Sequence, residues 1–185
     1  MLATLKEVLQ AAEDKKIAIG AFDTPNLESL CAAIAAAEEV ELPTIIMHAQ
    51  CHESLCPLDV IGPIMVERAK KAKVPVCVML DHGEDLDYLK RALDMGFTSV
   101  MYDGSVHPYE ENLATTKRAV ELAEQYGANV EAELGSMGKR EFGSGKPGEE
   151  DDQKIYTDPD MAKEFVEQTR SEERRVGKEC RSRWS

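Results

Sequence analysis

Residues 74–105 read VPVCVMLDHGEDLDYLKRALDMGFTSVMYDGS, and this stretch decides the fold class. VPVCVMLD (74–81) is a near-continuous apolar run, as expected of a strand covered on both faces. DLDYLKRALDMG (85–96) carries Leu86, Leu89 and Leu93 at helical spacing, with Gly96 placed to end the helix. TSVMYDG (98–104) is the next strand. Strand, helix and strand in this order predict a parallel pair with a covering helix.

The same alternation extends outward in both directions. Upstream lie a short β-like run, IAIGAFD (17–23), and an Ala-rich helix, LESLCAAIAAAEEV (27–40), with Pro25 and Asn26 as start signals. PTIIMHA (43–49) reads as a buried strand, and PLDVIGPIMVERAKKA (57–72) as a helix with an early Pro63. Downstream, PYEENLATTKRAVELAEQYG (108–127) is amphipathic, with Leu113, Val120 and Ala123 inward. NVEAELG (129–135) is a further strand, GKREFGSGKPGEEDDQK (138–154) a Gly- and charge-rich loop, and Asp158-Pro159 starts a last helix. The fold class is α/β with a parallel sheet. Two architectures fit, an open doubly wound sheet and a (β/α)8 TIM barrel. A barrel takes about 250 residues, so five βα units make an incomplete one.

Composition narrows the function. The 185 residues are 43% hydrophobic and 31% charged, which excludes wholesale disorder and allows one domain with a real core. The net charge of −13 argues against nucleic-acid or anionic-membrane binding. No apolar run approaches the roughly 18 residues of a membrane span, and the N-terminus lacks signal-peptide features. Five cysteines, none as Cys-x-x-Cys, predict reduced thiols and a cytoplasmic location. The charge is uneven. Residues 170–185, RSEERRVGKECRSRWS, carry +3, against −16 for residues 1–169. They hold the only Trp and have no apolar period. The expected organisation is therefore a partial barrel over 1–169 and a basic, non-native tail over 170–185.

Polar residues concentrate at the strand ends. One strand delivers Asp81-His82-Gly83, the next Asp103-Gly104-Ser105, and the third Glu131 and Glu133 just before Gly135. The C-terminal edge of a parallel sheet is where ligands bind. Carboxylates gathered there repel one another unless a cation or a shared proton compensates, so a metal site is the economical expectation. His82 suits a zinc-like ion, and Asp103 and Glu133 suit zinc or a harder cation. The plain alternative is that each acid caps a following helix. A rival cluster, His48-x-x-Cys51-His52-x-x-x-Cys56, lacks zinc-finger spacing. His48 and His52 are read instead as substrate-lining or ordinary loop residues. His107 caps or orients the helix after it. The G-x-G of GSGKPG lacks P-loop spacing.

These residues together resemble the class II, metal-dependent ketose-bisphosphate aldolases, the fructose- and tagatose-bisphosphate family. The resemblance rests on IGAFDTPNLE, MLDHGED, MGFTSVMYDGS, HPYEENLATTKRAVELAEQYG, VEAELGSMG and YTDP, and it covers residues 1–169. It implies a (β/α)8 barrel of which this chain holds roughly the first five units, from an oligomeric parent. It implies Asp81 as the acid/base at the hydroxyl and His82 as one of three zinc histidines. It implies Asp103 and Glu133 at a second or alternative metal position, with Zn2+ as cofactor and a second divalent or monovalent cation allowed. A loop glutamate would move the proton at the nucleophilic carbon. Ungapped counting gives Glu141, and the local Glu-Asp pattern gives Glu150.

Two departures bear on a small phosphorylated sugar as substrate. Ala49 stands where the family has a phosphate-binding Ser, and Asp23 replaces a more usual Asn, adding negative charge. The other two zinc histidines and the Gly-rich phosphate loops belong to motifs beyond the fifth unit. The expectation is an inactive fragment of an aldolase that releases dihydroxyacetone phosphate and an aldehyde. The alternative is a non-catalytic half-barrel that completes itself by oligomerising.

Overall fold

The computed structural model of the chain describes residues 1–135 and 157–173. In chain order the elements are β1 (Leu2–Ala3), α1 (Leu5–Lys15), β2 (Ala21–Asp23), α2 (Leu27–Glu39) and β3 (Thr44–Ala49). A 3-10 turn (Gln50–Ser54), α3 (Leu58–Lys71), β4 (Val76–Gly83), α4 (Leu86–Asp94) and β5 (Ser99–Tyr102) follow. Then come α5 (Tyr109–Glu124), β6 (Asn129–Ala132), α6 (Pro159–Thr169) and β7 (Glu172–Glu173). The expected loop 138–154 lies outside the described residues.

Every strand pairing is parallel. The path runs β2-β3-β4-β5-β6-β7. A doubly wound sheet reverses its strand order partway. From β2 to β7 spatial order follows chain order, as in a (β/α)8 barrel opened along one side, while β1 lies off this path and pairs with β4. β7 lies within residues 170–185 and pairs its backbone with β6, Glu131 opposite Glu172.

The sheet has two apolar layers, set by the period of two along each strand. Ile46, Val76, Val78, Leu80, Val100 and Val130 face the helices and join Leu30, Leu58, Met65 and Leu89 in the larger core. Ile45, Met47, Cys77, Met79 and Met101 face the other way, into the barrel interior, with Ala3, Leu5 and Val8. The N-terminal β1–α1 unit therefore covers the interior layer.

Sequence reading began the alternation at residue 17 and assigned no element before it. Its missed signal was the Thr4-x-x-Glu7 capping box. Glu7 N donates to Thr4 Oγ1 at 3.3 Å and Thr4 N to Glu7 Oε2 at 2.7 Å. The 17–23 strand shortens to Ala21–Asp23, because Ile17 N closes α1 by donating to Ala12 O. The predicted stop at Gly96 is a Schellman turn. Gly96 N bonds Leu93 O, Phe97 N bonds Ala92 O, and Gly96 takes φ 96°.

Candidate metal centre

β4, β5 and β6 end side by side, and each ends in an inward-facing acid. Asp81 continues the inward parity of Cys77 and Met79, and Asp103 and Glu133 continue that of Met101 and its register partner Glu131. His82 escapes this alternation through a bulge. The β4–β5 register moves from Leu80 opposite Val100 to Gly83 opposite Tyr102, with one more residue on β4 than on β5. His82 takes φ 44°, a left-handed conformation for a non-glycine residue.

The bulge sets the His82 ring against Asp103, with Nδ1 3.0 Å from Asp103 Oδ2. One donor atom each from His82, Asp103 and Glu133 lie within 4.8 Å of one another. Among the described residues these three form the one group of at least three such donors that close together. Ser105 holds the other Asp103 oxygen through its N at 3.0 Å and its Oγ at 2.6 Å. The backbone of buried Glu133 is pinned from α5, where Asn112 Nδ2 donates to Glu133 O at 2.8 Å and Thr116 Oγ1 donates to Asn112 Oδ1 at 3.1 Å. Gly104 leaves room for Asn112, since a Cβ there would lie 2.2 Å from Asn112 Oδ1.

Electrostatics follow the geometry. The Asp103 hydrogen bond raises the His82 pKa to about 9, against the opposing effect of burial, and the charges of Asp81, Asp103 and Glu133 add to the rise. The His82 hydrogen bond lowers Asp103 to about 2, with Ser105 helping. A positive imidazolium thus sits among carboxylates, where a cation of higher charge would be better compensated. With Nδ1 engaged by Asp103, Nε2 is the ring nitrogen through which a neutral His82 would ligate an ion. One imidazole nitrogen and carboxylate oxygens are a donor set that zinc accepts.

The other expected residues fall nearby or elsewhere. Asp23, opposite Met47, and Ala49, opposite Asp81, share the inward face. Asp23, Asp81 and Glu84 all raise the Cys51 pKa, after burial, so they surround one region of the mouth. His48 shares the side of Ile46, toward the helices, and is fully buried. It meets His52 edge to face at 5.9 Å, and neither His48 ring nitrogen has a hydrogen-bond partner among the described residues. His48, Cys51, His52 and Cys56 do not converge as a metal cluster. His107 Nδ1 lies 3.5 Å from Glu111 Oε1, one turn into α5. Glu141 and Glu150 lie outside the described residues. Sequence reasoning missed Asn112 and Ser105, whose roles arise from contacts between elements.

Comparison with known proteins agrees with this arrangement. The family model for class II fructose-bisphosphate aldolase matches residues 3–173. The chain is 39% identical over 177 residues to the "Probable fructose-bisphosphate aldolase" of Bacillus subtilis, covering 91% of this chain and 58% of that one. It is 38% identical over 175 residues to the fructose-bisphosphate aldolase of Staphylococcus aureus, with the same coverage of 91% and 58%. The crystal structure of the YdjI aldolase from Escherichia coli K12 superposes with a TM-score of 0.78 at 36% identity, over 92% of this chain and 59% of that one. The chain thus spans somewhat over half the length of these relatives, and its sheet is that part of their barrel. With a family match across nearly all of its described sheet, the chain belongs to the class II fructose-bisphosphate aldolases, a family of lyases.

Proposed function

We propose that the parent protein is a zinc-dependent aldolase. It cleaves a ketose phosphate or bisphosphate reversibly to dihydroxyacetone phosphate and an aldehyde. The observation that carries this reading is the convergence of His82, Asp103 and Glu133 at the ends of three adjacent parallel strands. These residues would hold the ion, with a second cation position drawing on the same carboxylates. When bound, a divalent ion supplies Lewis-acid polarisation of the ketone. Asp81, buried on the inward face beside this cluster, takes the hydroxyl proton as the carbon–carbon bond breaks. The electron pair passes to the carbon next to the ketone. Glu141 or Glu150 then delivers a proton to that carbon, and condensation reverses each transfer. Asp23 and His52 are the proposed substrate-lining residues, whereas His48, fully buried on the helix-facing side of β3, is set back from the interior face.

The 185-residue chain itself is proposed to be inactive. It holds four histidines, and His48, His52 and His107 stay apart from His82. The parent works in the cytoplasm as a homo-oligomer on a small phosphorylated sugar, without nucleic acid or membrane. Among the described residues, no helix is long and apolar enough to cross a membrane.

Titration of the chain with Zn2+ or Co2+ tests the site. The expected result is one ion bound in the wild type and binding lost in His82→Ala. Equal binding by both would remove the site. Aldol cleavage by the purified chain at rates typical of aldolases would overturn the proposed inactivity.

A further inference from the structure

His82 has no register partner in either flanking ladder. The β3–β4 ladder ends with Ala49 opposite Asp81, and the β4–β5 ladder passes from Leu80 to Gly83. Its left-handed φ of 44° is unfavourable for a non-glycine residue and persists only where the surroundings over-determine it. On the β5 side, Asp103 N donates to Gly83 O at 3.0 Å and restores the ladder just past the bulge. On the β3 side the ladder is over, and a side chain stands in for it. Gln50 Oε1 accepts the Glu84 N–H at 2.9 Å.

Gln50 is itself held in place. It opens the 3-10 turn that follows β3, and Glu53 in that turn ties it to two helices. Glu53 Oε2 accepts from Leu58 N at 2.9 Å, at the start of α3, and from Tyr88 Oη at 2.6 Å, in α4. Arg91 Nη2 reaches Glu53 Oε1 at 3.3 Å and Asp59 Oδ1 at 3.0 Å, and its guanidinium stacks 4.9 Å from the Tyr88 ring centre. Asp85 caps α4 by accepting from Tyr88 N at 2.8 Å. The chain leaving His82 is thus gripped from both sides within a few residues.

We propose that Gln50 is a positioning residue whose side-chain carbonyl, by holding the Glu84 N–H, fixes the left-handed turn that aims His82 at Asp103 and Glu133. The inference rests on the metal-site reading for its consequence, while the hydrogen bond is read independently. Co2+ titration of the 185-residue chain, followed by d–d absorbance, measures the consequence. Gln50→Ala is expected to weaken Co2+ about tenfold or more, the usual effect of losing an outer support of a metal ligand. Gln50→Glu keeps an oxygen acceptor and is expected to bind close to wild type. A merely structural role would lower the melting temperature of Gln50→Ala and leave Co2+ affinity unchanged, which overturns the proposal. Equal weakening in Gln50→Glu overturns it too. Amide hydrogen exchange on the metal-free chain measures the contact itself. Gln50→Ala should expose Glu84 N–H to exchange while Leu80 N–H stays protected, and unchanged exchange at Glu84 overturns the proposal. A wild-type chain that takes up no Co2+ defeats the metal reading, and the Glu84 exchange then decides the role of Gln50.

Discussion

At the residue scale, the His82–Asp103 pair makes a pH signature. The His82 pKa is raised to about 9 from 6.5, so its support for the fold is complete below 6.5 and fades as pH rises through about 9. The Asp103 pKa is lowered to about 2 from 3.8, so its support is present above 3.8 and is lost as pH falls through about 2. Both groups retain solvent contact, so the pair is worth about 1 kcal/mol. In the metal-free chain, Asp103→Asn should lower the melting temperature more at pH 6 than at pH 9.5, and an equal loss at both would refute this assignment. His48 works in the opposite sense. Burial, with the His52 charge, lowers its pKa, so the folded chain resists a proton that the unfolded chain accepts below about 6.5. Stability should therefore fall as pH drops below about 6.5. Denaturant unfolding of His48→Leu across that range should give a flatter slope. The acids and His82 were legible as residues at strand ends. The left-handed turn at His82 was not, because a bulge is a matter of register between two strands.

At the element scale, α5 is what holds Glu133 in place. Gly104 and Asn112 form one joint between the β5 end and α5, and Asn112 carries the backbone of Glu133. Gly104→Ala should force Asn112 aside and cost about 1–3 kcal/mol by overpacking, measured by urea unfolding. A change below about 0.5 kcal/mol would show that the joint is slack. Thr4→Ala should remove the capping box of α1 and cost about 1 kcal/mol, read in the same experiment. The helices from α2 onward were legible from apolar spacing and start signals. Asn26, read as a start signal, caps α2 by accepting from Ser29 N at 2.8 Å, and Asp85, which was not singled out, caps α4 by accepting from Tyr88 N at 2.8 Å. What covers the interior layer was not legible, because β1 is a two-residue strand with no period to read.

For the whole molecule, the open path from β2 to β7 governs behaviour. Neither end strand has a second neighbour among the described residues. Unpaired edges invite further pairing. Phe22 in β2 is 50% exposed, so the β2 edge also presents apolar surface. Sedimentation velocity of the purified chain should show self-association that rises with concentration. A monomer at all concentrations would mean that this edge is protected. A discrete, cooperatively melting dimer would favour the half-barrel subunit over the inactive fragment.

The sequence alone determined the alternation of strands and helices and the parallel α/β class, because apolar periodicity is local. It also placed Asp81, His82, Asp103 and Glu133 at strand ends, and the motifs around them pointed to the aldolase family. Periodicity left two sheet architectures open; the resemblance implied the barrel, and the tertiary structure bears it out, since strand order depends on which strands pair. Only the tertiary structure decided that three of those residues meet while His48, Cys51, His52 and Cys56 do not form a metal cluster. Convergence depends on which face each side chain leaves, and the bulge at His82, held by Gln50 from the turn after β3, sets that face through contacts between residues far apart in sequence.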